Sequence, residues 1–127
     1  MAYAPVNNII VLKGNVNYVH AAMNDREVKN KFDEVTDDTV TVGNANTNEA
    51  WIYYETNSEP HEEVPEFIKE RYPMLRVFFS SIDYDEWMFA YYKEIGKEGE
   101  YSYGTHDEDY IEQIFAEFVE MEPIRMY

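Results

Sequence analysis

Asn7-Asn8-Ile9-Ile10-Val11-Leu12-Lys13-Gly14 is a short apolar run closed by a glycine, and with the helix signals directly after it this stretch decides the fold. A run of this length ended by a turn residue reads as a buried strand. Asn15 then stands where a helix cap belongs, and Val16, Val19, Ala22 and Met23 recur at helical spacing. Asn24-Asp25 with Glu27 forms a second start signal, and Val28, Phe32 and Val35 continue the period. One broken helix or two short ones are expected between residues 16 and 35.

Further along, Thr39 to Val42 alternates β-branched residues and ends at the turn signal Gly43-Asn44. After a polar loop, Ala50 to Glu55 reads as the second strand of a hairpin. Pro60 and Pro65 bracket a helix start, because proline is tolerated in the first turn. The apolar stripe of that helix is Val64, Phe67, Ile68 and Tyr72, and Pro73 ends it. Leu75 to Ser80 and Trp87 to Lys93 are predicted strands, joined by the acidic bend Ile82-Asp83-Tyr84-Asp85-Glu86. Gly96-Lys97-Glu98-Gly99 turns into a strand over Glu100 to Tyr103. Thr105 with Glu108 forms a capping box for a last helix running to about Glu122. Its apolar face carries Tyr110, Ile111, Ile114, Phe115, Phe118 and Val119, while Asp109, Glu112, Glu117 and Glu120 lie opposite or on the flank.

The order β-α-β-β-α-β-β(β)-α predicts a single α+β domain over residues 1–127. Its form is a ferredoxin-like antiparallel sheet with helices packed on one face, plus a C-terminal amphipathic helix. Trp51, Tyr53, Phe78, Phe89 and Phe115 are expected in the core. Strand alternation puts Tyr53 and Tyr54, and likewise Tyr91 and Tyr92, on opposite faces, so some of the twelve tyrosines are expected at the surface.

Three stretches resemble the YubB ferredoxin-like domains of phage and plasmid proteins. They are Asn8-Ile9-Ile10-Val11-Leu12-Lys13-Gly14; Ile52-Tyr53-Tyr54-Glu55-Thr56-Asn57-Ser58-Glu59-Pro60; and Phe67-Ile68-Lys69-Glu70-Arg71-Tyr72-Pro73-Met74-Leu75 followed by Phe89-Ala90-Tyr91-Tyr92. Ala4-Pro5-Val6 stands where that family commonly has a Trp-Cys pair, and no glycine follows Phe89-Ala90. The resemblance implies a ferredoxin-like sheet and a mobile-element origin, and it carries over no catalytic residue.

Charge narrows the function classes. Against 26 Asp and Glu stand ten Lys and Arg, a net charge of −16 with a sequence pI near 4.3. Such a chain lacks the basic footprint that nucleic-acid binding requires, and it is repelled by anionic membranes. It attracts basic partners instead. No apolar stretch approaches the length of a membrane span, no signal peptide is evident and there are no cysteines, so a cytoplasmic protein without disulfides is expected.

No phosphate-binding Gly-rich loop, nucleophile elbow or zinc-helix pair of histidines is present. His20, His61 and His106 read as surface or cap residues, and no metal, cofactor or catalytic residue is assigned. The acidic bend lacks the Gly and the later Glu of a calcium loop.

A charge of −16 exceeds the magnitude of about 2 to 8 that suffices for solubility of a small domain. It also costs stability through self-repulsion. Carboxylates one helical turn apart stand about 5–6 Å from each other, a spacing of the same order as that of phosphates along a strand. The expected role is therefore a non-enzymatic mimic of nucleic acid, bound to a basic host protein such as a restriction or CRISPR effector. The candidate contact residues are Asp83, Tyr84, Asp85 and Glu86, then Asp109, Glu112, Glu117 and Glu120, then Glu62, Glu63 and Glu66. The alternative is an acidic adaptor or homo-oligomer, a homodimer among its forms, that binds through exposed aromatics, its charge serving solubility.

Overall fold

The computed structural model describes residues 5–37, 40–83, 89–104 and 108–121. Ten elements follow in order: β1 (Pro5–Lys13), α1 (Val16–Met23), α2 (Arg26–Val35), β2 (Thr41–Gly43), β3 (Glu49–Asn57), α3 (Glu63–Arg71), β4 (Arg76–Asp83), β5 (Phe89–Glu94), β6 (Tyr101–Gly104) and α4 (Glu108–Val119). The strands form one sheet in the order β2-β3-β1-β4-β5-β6, every neighbouring pair antiparallel. Its first four strands with their crossover helices make the ferredoxin-like split βαβ arrangement, and the β5–β6 hairpin widens the sheet beyond β4.

β1 lies inside the sheet, paired on both sides, and Ile9 to Leu12 are all buried. This explains the unbroken apolar run: a strand covered on both faces does not alternate polar with apolar. Ile10 and Leu12 join Ile52, Tyr54, Val77 and Phe79 against α1, α2 and α3. Ile9 and Val11 join Phe78 and Tyr92 on the other face, against Phe115 and Val119 of α4.

The break between α1 and α2 follows from two caps. The side chain of Asn15 accepts from the Asn17 N–H at 2.9 Å, and that of Asp25 accepts from the Glu27 N–H at 2.8 Å. Each satisfies a donor that a helix start leaves open. Pro65 sits in the first turn of α3, where its missing N–H breaks no intrahelical bond.

The expected α+β sheet has α1 to α3 on one face, and the additional C-terminal helix α4 packs on the opposite face. Two expectations need amending. Tyr53 and Tyr54 do point to opposite faces, as do Tyr91 and Tyr92, yet none of the four is a free surface tyrosine because each face has its own helical cover. The strongly exposed tyrosines are Tyr18 and Tyr101, among the described residues. Finally, α4 stops at Val119 and not near Glu122. Glu120 takes a left-handed φ of 62°, its N–H donates to the Glu117 carbonyl at 3.2 Å, and the Met121 N–H donates to the Ala116 carbonyl at 3.0 Å. That is a Schellman stop with glutamate where glycine is usual. Lys13 secures it from β1, its Nζ donating to the Val119 carbonyl at 2.7 Å and the Glu120 carbonyl at 3.3 Å.

β4 also runs further than expected, through Ile82 and Asp83 of the acidic bend. Thr105 of the expected capping box, Trp87 and His106 lie outside the described residues, and so does Thr39 of the expected second strand.

Candidate functional site: the acidic surface

The first turns of α3 gather Glu62, Glu63 and Glu66. Glu62 leans inward and accepts from Lys93 Nζ of β5 at 2.8 Å. Glu63 is exposed and bonds His61 Nδ1 at 2.7 Å. Partial burial pushes its carboxyl up, but the His61 bond, a backbone N–H and nearby Lys31 outweigh that and leave it below the usual value. Glu66 goes the other way: partial burial, then the neighbouring Glu62 carboxylate, raise it. Acids near a helix start also interact favourably with its dipole, which offsets part of their mutual repulsion.

Glu70 was not singled out by sequence reasoning, yet it belongs to the same set. Exposed Glu63, Glu66 and Glu70 succeed one another at three and four residues along α3. The spacing puts their Cβ atoms about 5–6 Å apart. Two cations within the same helix could have neutralised this stripe, but both are drawn elsewhere. Lys69 Nζ donates to the carbonyls of Pro73 at 3.0 Å and Leu75 at 2.7 Å, and Arg71 donates to Asp25, the cap residue of α2. The Tyr72 hydroxyl also donates to Asp25, at 2.6 Å. These bonds hold the Asp25 carboxyl below its usual value, Tyr72 contributing most. The i, i+4 signal of Glu66 and Glu70 was legible in the sequence; the inward turn of Lys69 was not.

The same diversion of cations recurs across the fold. Arg76 forks onto Glu94 at 2.8 and 3.2 Å while lying over the Phe78 ring, and holds the Glu94 carboxyl below its usual value. Lys31 pairs with Glu34 at 3.5 Å and sits over Phe67. Lys13, Lys31, Lys69, Arg71, Arg76 and Lys93, out of ten Lys and Arg, are thus engaged within the chain.

The remaining candidates divide. Glu117 and Glu120 are exposed at the end of α4, on the opposite side of the sheet from α3, so the two groups do not form one continuous patch. Glu112 is 9 % exposed and has a partner within the fold, so it is not a surface contact: α4 lies flat enough on the sheet to cover its flank. Asp83 and Asp109 are placed on β4 and α4 by their backbones alone, and Tyr84, Asp85 and Glu86 lie outside the described residues.

His20 bonds Asn46 Oδ1 at 2.8 Å, and His61 sits between Glu59 and Glu63. Among the described residues, no group of three or more His, Asp or Glu is arranged to hold a metal ion, and no helix is long and apolar enough to cross a membrane. Compared with protein-family models, curated proteins and solved structures, the chain finds no match.

Proposed function

We propose that this is a non-enzymatic, acidic interaction protein of phage or plasmid origin that occupies the basic nucleic-acid groove of a host effector, such as a restriction or CRISPR nuclease, and blocks it. The observation that carries the reading is the Glu63-Glu66-Glu70 stripe on α3, which the cations of its own helix do not pair with, because Lys69 turns in to the Leu75 carbonyl and the exposed Arg71 reaches across to Asp25. A charge row fixed on a packed helix presents regular anions without needing ordering on contact, which lowers the entropic cost of binding. The net charge of −16 steers such a protein toward a cationic groove from a distance. The mobile-element origin rests on the resemblance to YubB-type domains. The rival reading, contact through exposed aromatics, loses support where Tyr53, Tyr54, Tyr91 and Tyr92 are covered by helices.

The test is displacement of labelled DNA or RNA from a panel of purified restriction and CRISPR effectors, followed by fluorescence anisotropy. With a true target, affinity falls at least tenfold between about 50 and 200 mM salt, as expected when many phosphate-like contacts are replaced. The triple variant Glu63→Lys, Glu66→Lys, Glu70→Lys abolishes displacement, while Tyr101→Ala leaves it intact. Displacement that ignores salt, or that survives the triple variant, refutes the proposal.

A further inference from the structure

β2 is a three-residue edge strand that pairs with β3 and, among the described residues, with nothing else. Alternate residues of such a strand turn their N–H and C=O groups away from the sheet, ready to pair with another chain. The sheet here extends past its helical cover. Val42 faces the same side as its cross-strand partner Ile52, toward α1 and α2, yet it is 51 % exposed. Between this strand and the two helices lies an apolar cleft of about 310 Å³. Met23, Val28, Phe32, Val40, Val42 and Ile52 line it, and Lys29 and Asp33, one turn apart on α2, stand at its rim.

An open main-chain edge beside a pocket is the arrangement by which extended peptides are read: the strand supplies hydrogen bonds, and the pocket takes one side chain of the alternating set. The volume falls at the lower end of ligand pockets, enough for a bulky apolar side chain. Charge selects the occupant. Lys29 and Asp33 at the rim are opposite in sign, Glu34 and Lys31 on α2 pair with each other, Asp37 is exposed just past the end of α2, and the whole chain carries −16. A second copy of so acidic a chain is repelled, whereas a basic segment is drawn in.

We propose that the β2 edge and its cleft form a docking site for an extended, basic peptide segment that adds a strand beside β2 and buries one bulky apolar residue among Phe32, Val42 and Ile52. This goes beyond the charge row on α3, because here an apolar anchor supplies the affinity and charge sets the partner class.

The experiment pans a random twelve-residue peptide library against the full chain, then measures each enriched peptide on the wild type, on Met23→Trp, which fills the cleft, and on Val42→Lys. The exposed position of Val42 keeps the second variant foldable, and both are checked by thermal melting. Enriched peptides are expected to carry an aromatic or large aliphatic residue flanked by Lys or Arg, to bind both variants at least tenfold more weakly, and to protect β2 amides from hydrogen exchange. The Glu63→Lys, Glu66→Lys, Glu70→Lys variant should bind them within threefold of wild type. No enrichment, peptides indifferent to both cleft variants, or peptides lost only with the α3 variant would each overturn the proposal. So would sedimentation showing a dimer that Val42→Lys dissolves, since the occupant would then be a second copy.

Discussion

Gly43 of β2 and Trp51 of β3 face each other across the sheet, and the contact between them sets a sharp test of the packing. A Cβ added at Gly43 would lie 2.2 Å from Trp51 Cε2, 2.3 Å from Cζ2 and 2.5 Å from Nε1. Carbon atoms prefer about 3.5–4.0 Å, so the indole must retreat by more than about 1 Å. These atoms belong to the middle of a rigid ring, which cannot fold aside as a lysine tip would. Trp51 is itself packed on the Ile9, Val11 and Phe115 cluster, so moving it disturbs that face. Gly43→Ala should therefore destabilise by about 1–3 kcal/mol, the range for overpacking. That corresponds to a melting temperature lower by roughly 4–12 °C for a chain of this size. The decisive measurement repeats the substitution in a Trp51→Ala background, using urea unfolding followed by circular dichroism. With the ring gone, Gly43→Ala should turn neutral or stabilising by about 0.5 kcal/mol, because alanine suits a strand better than glycine. The coupling energy should thus lie at about 1–3.5 kcal/mol. An equal cost in both backgrounds would refute the contact as the cause.

The geometry sets three further outcomes. Glu120→Gly should stabilise by about 0.5–1 kcal/mol in chemical denaturation, since glycine accepts the left-handed turn at the end of α4 and removes an anion from the helix C-terminus; Glu120→Ala should gain much less. Lys13→Met should cost about 1–2 kcal/mol and speed amide exchange in the last turn of α4, by removing the donor to the Val119 and Glu120 carbonyls. Asp25 has a folded-state pKa below its ordinary 3.8, so its bonds to Tyr72 and Arg71 contribute stability above that pH and lose it as pH falls further. The melting-temperature gap between the wild type and Asp25→Asn should accordingly be widest near neutrality and close below about pH 3.8.

Much of the architecture is written in local signals. Asn15 and Asp25 announce two helix starts because a side-chain acceptor must satisfy the open N–H groups there, and the structure uses both. The run from Ile9 to Leu12 marks a strand covered on two sides, since no polar residue interrupts it. The end of α4 was not legible. Glutamate gives no warning of a left-handed turn, and Lys13, more than a hundred positions away, helps to hold it. The acidic surface divides in the same way. Its total charge, and the i, i+3 and i+4 spacing of Glu63, Glu66 and Glu70, are properties of the chain's order alone.

Which carboxylates stay open is a different matter, because it depends on where the cations go. Lys69 turns to the Leu75 carbonyl, Arg71 to Asp25, Arg76 to Glu94 and Lys93 to Glu62, and the last three of those pairings cross between different elements of the fold. Glu112 was buried, and Tyr53 and Tyr92 covered, by one event that no local pattern encodes: the choice of sheet face by α4. An amphipathic stripe says that a helix must cover something. Only the folded sheet, with Ile9, Val11, Phe78 and Tyr92 left bare on its second face, says what.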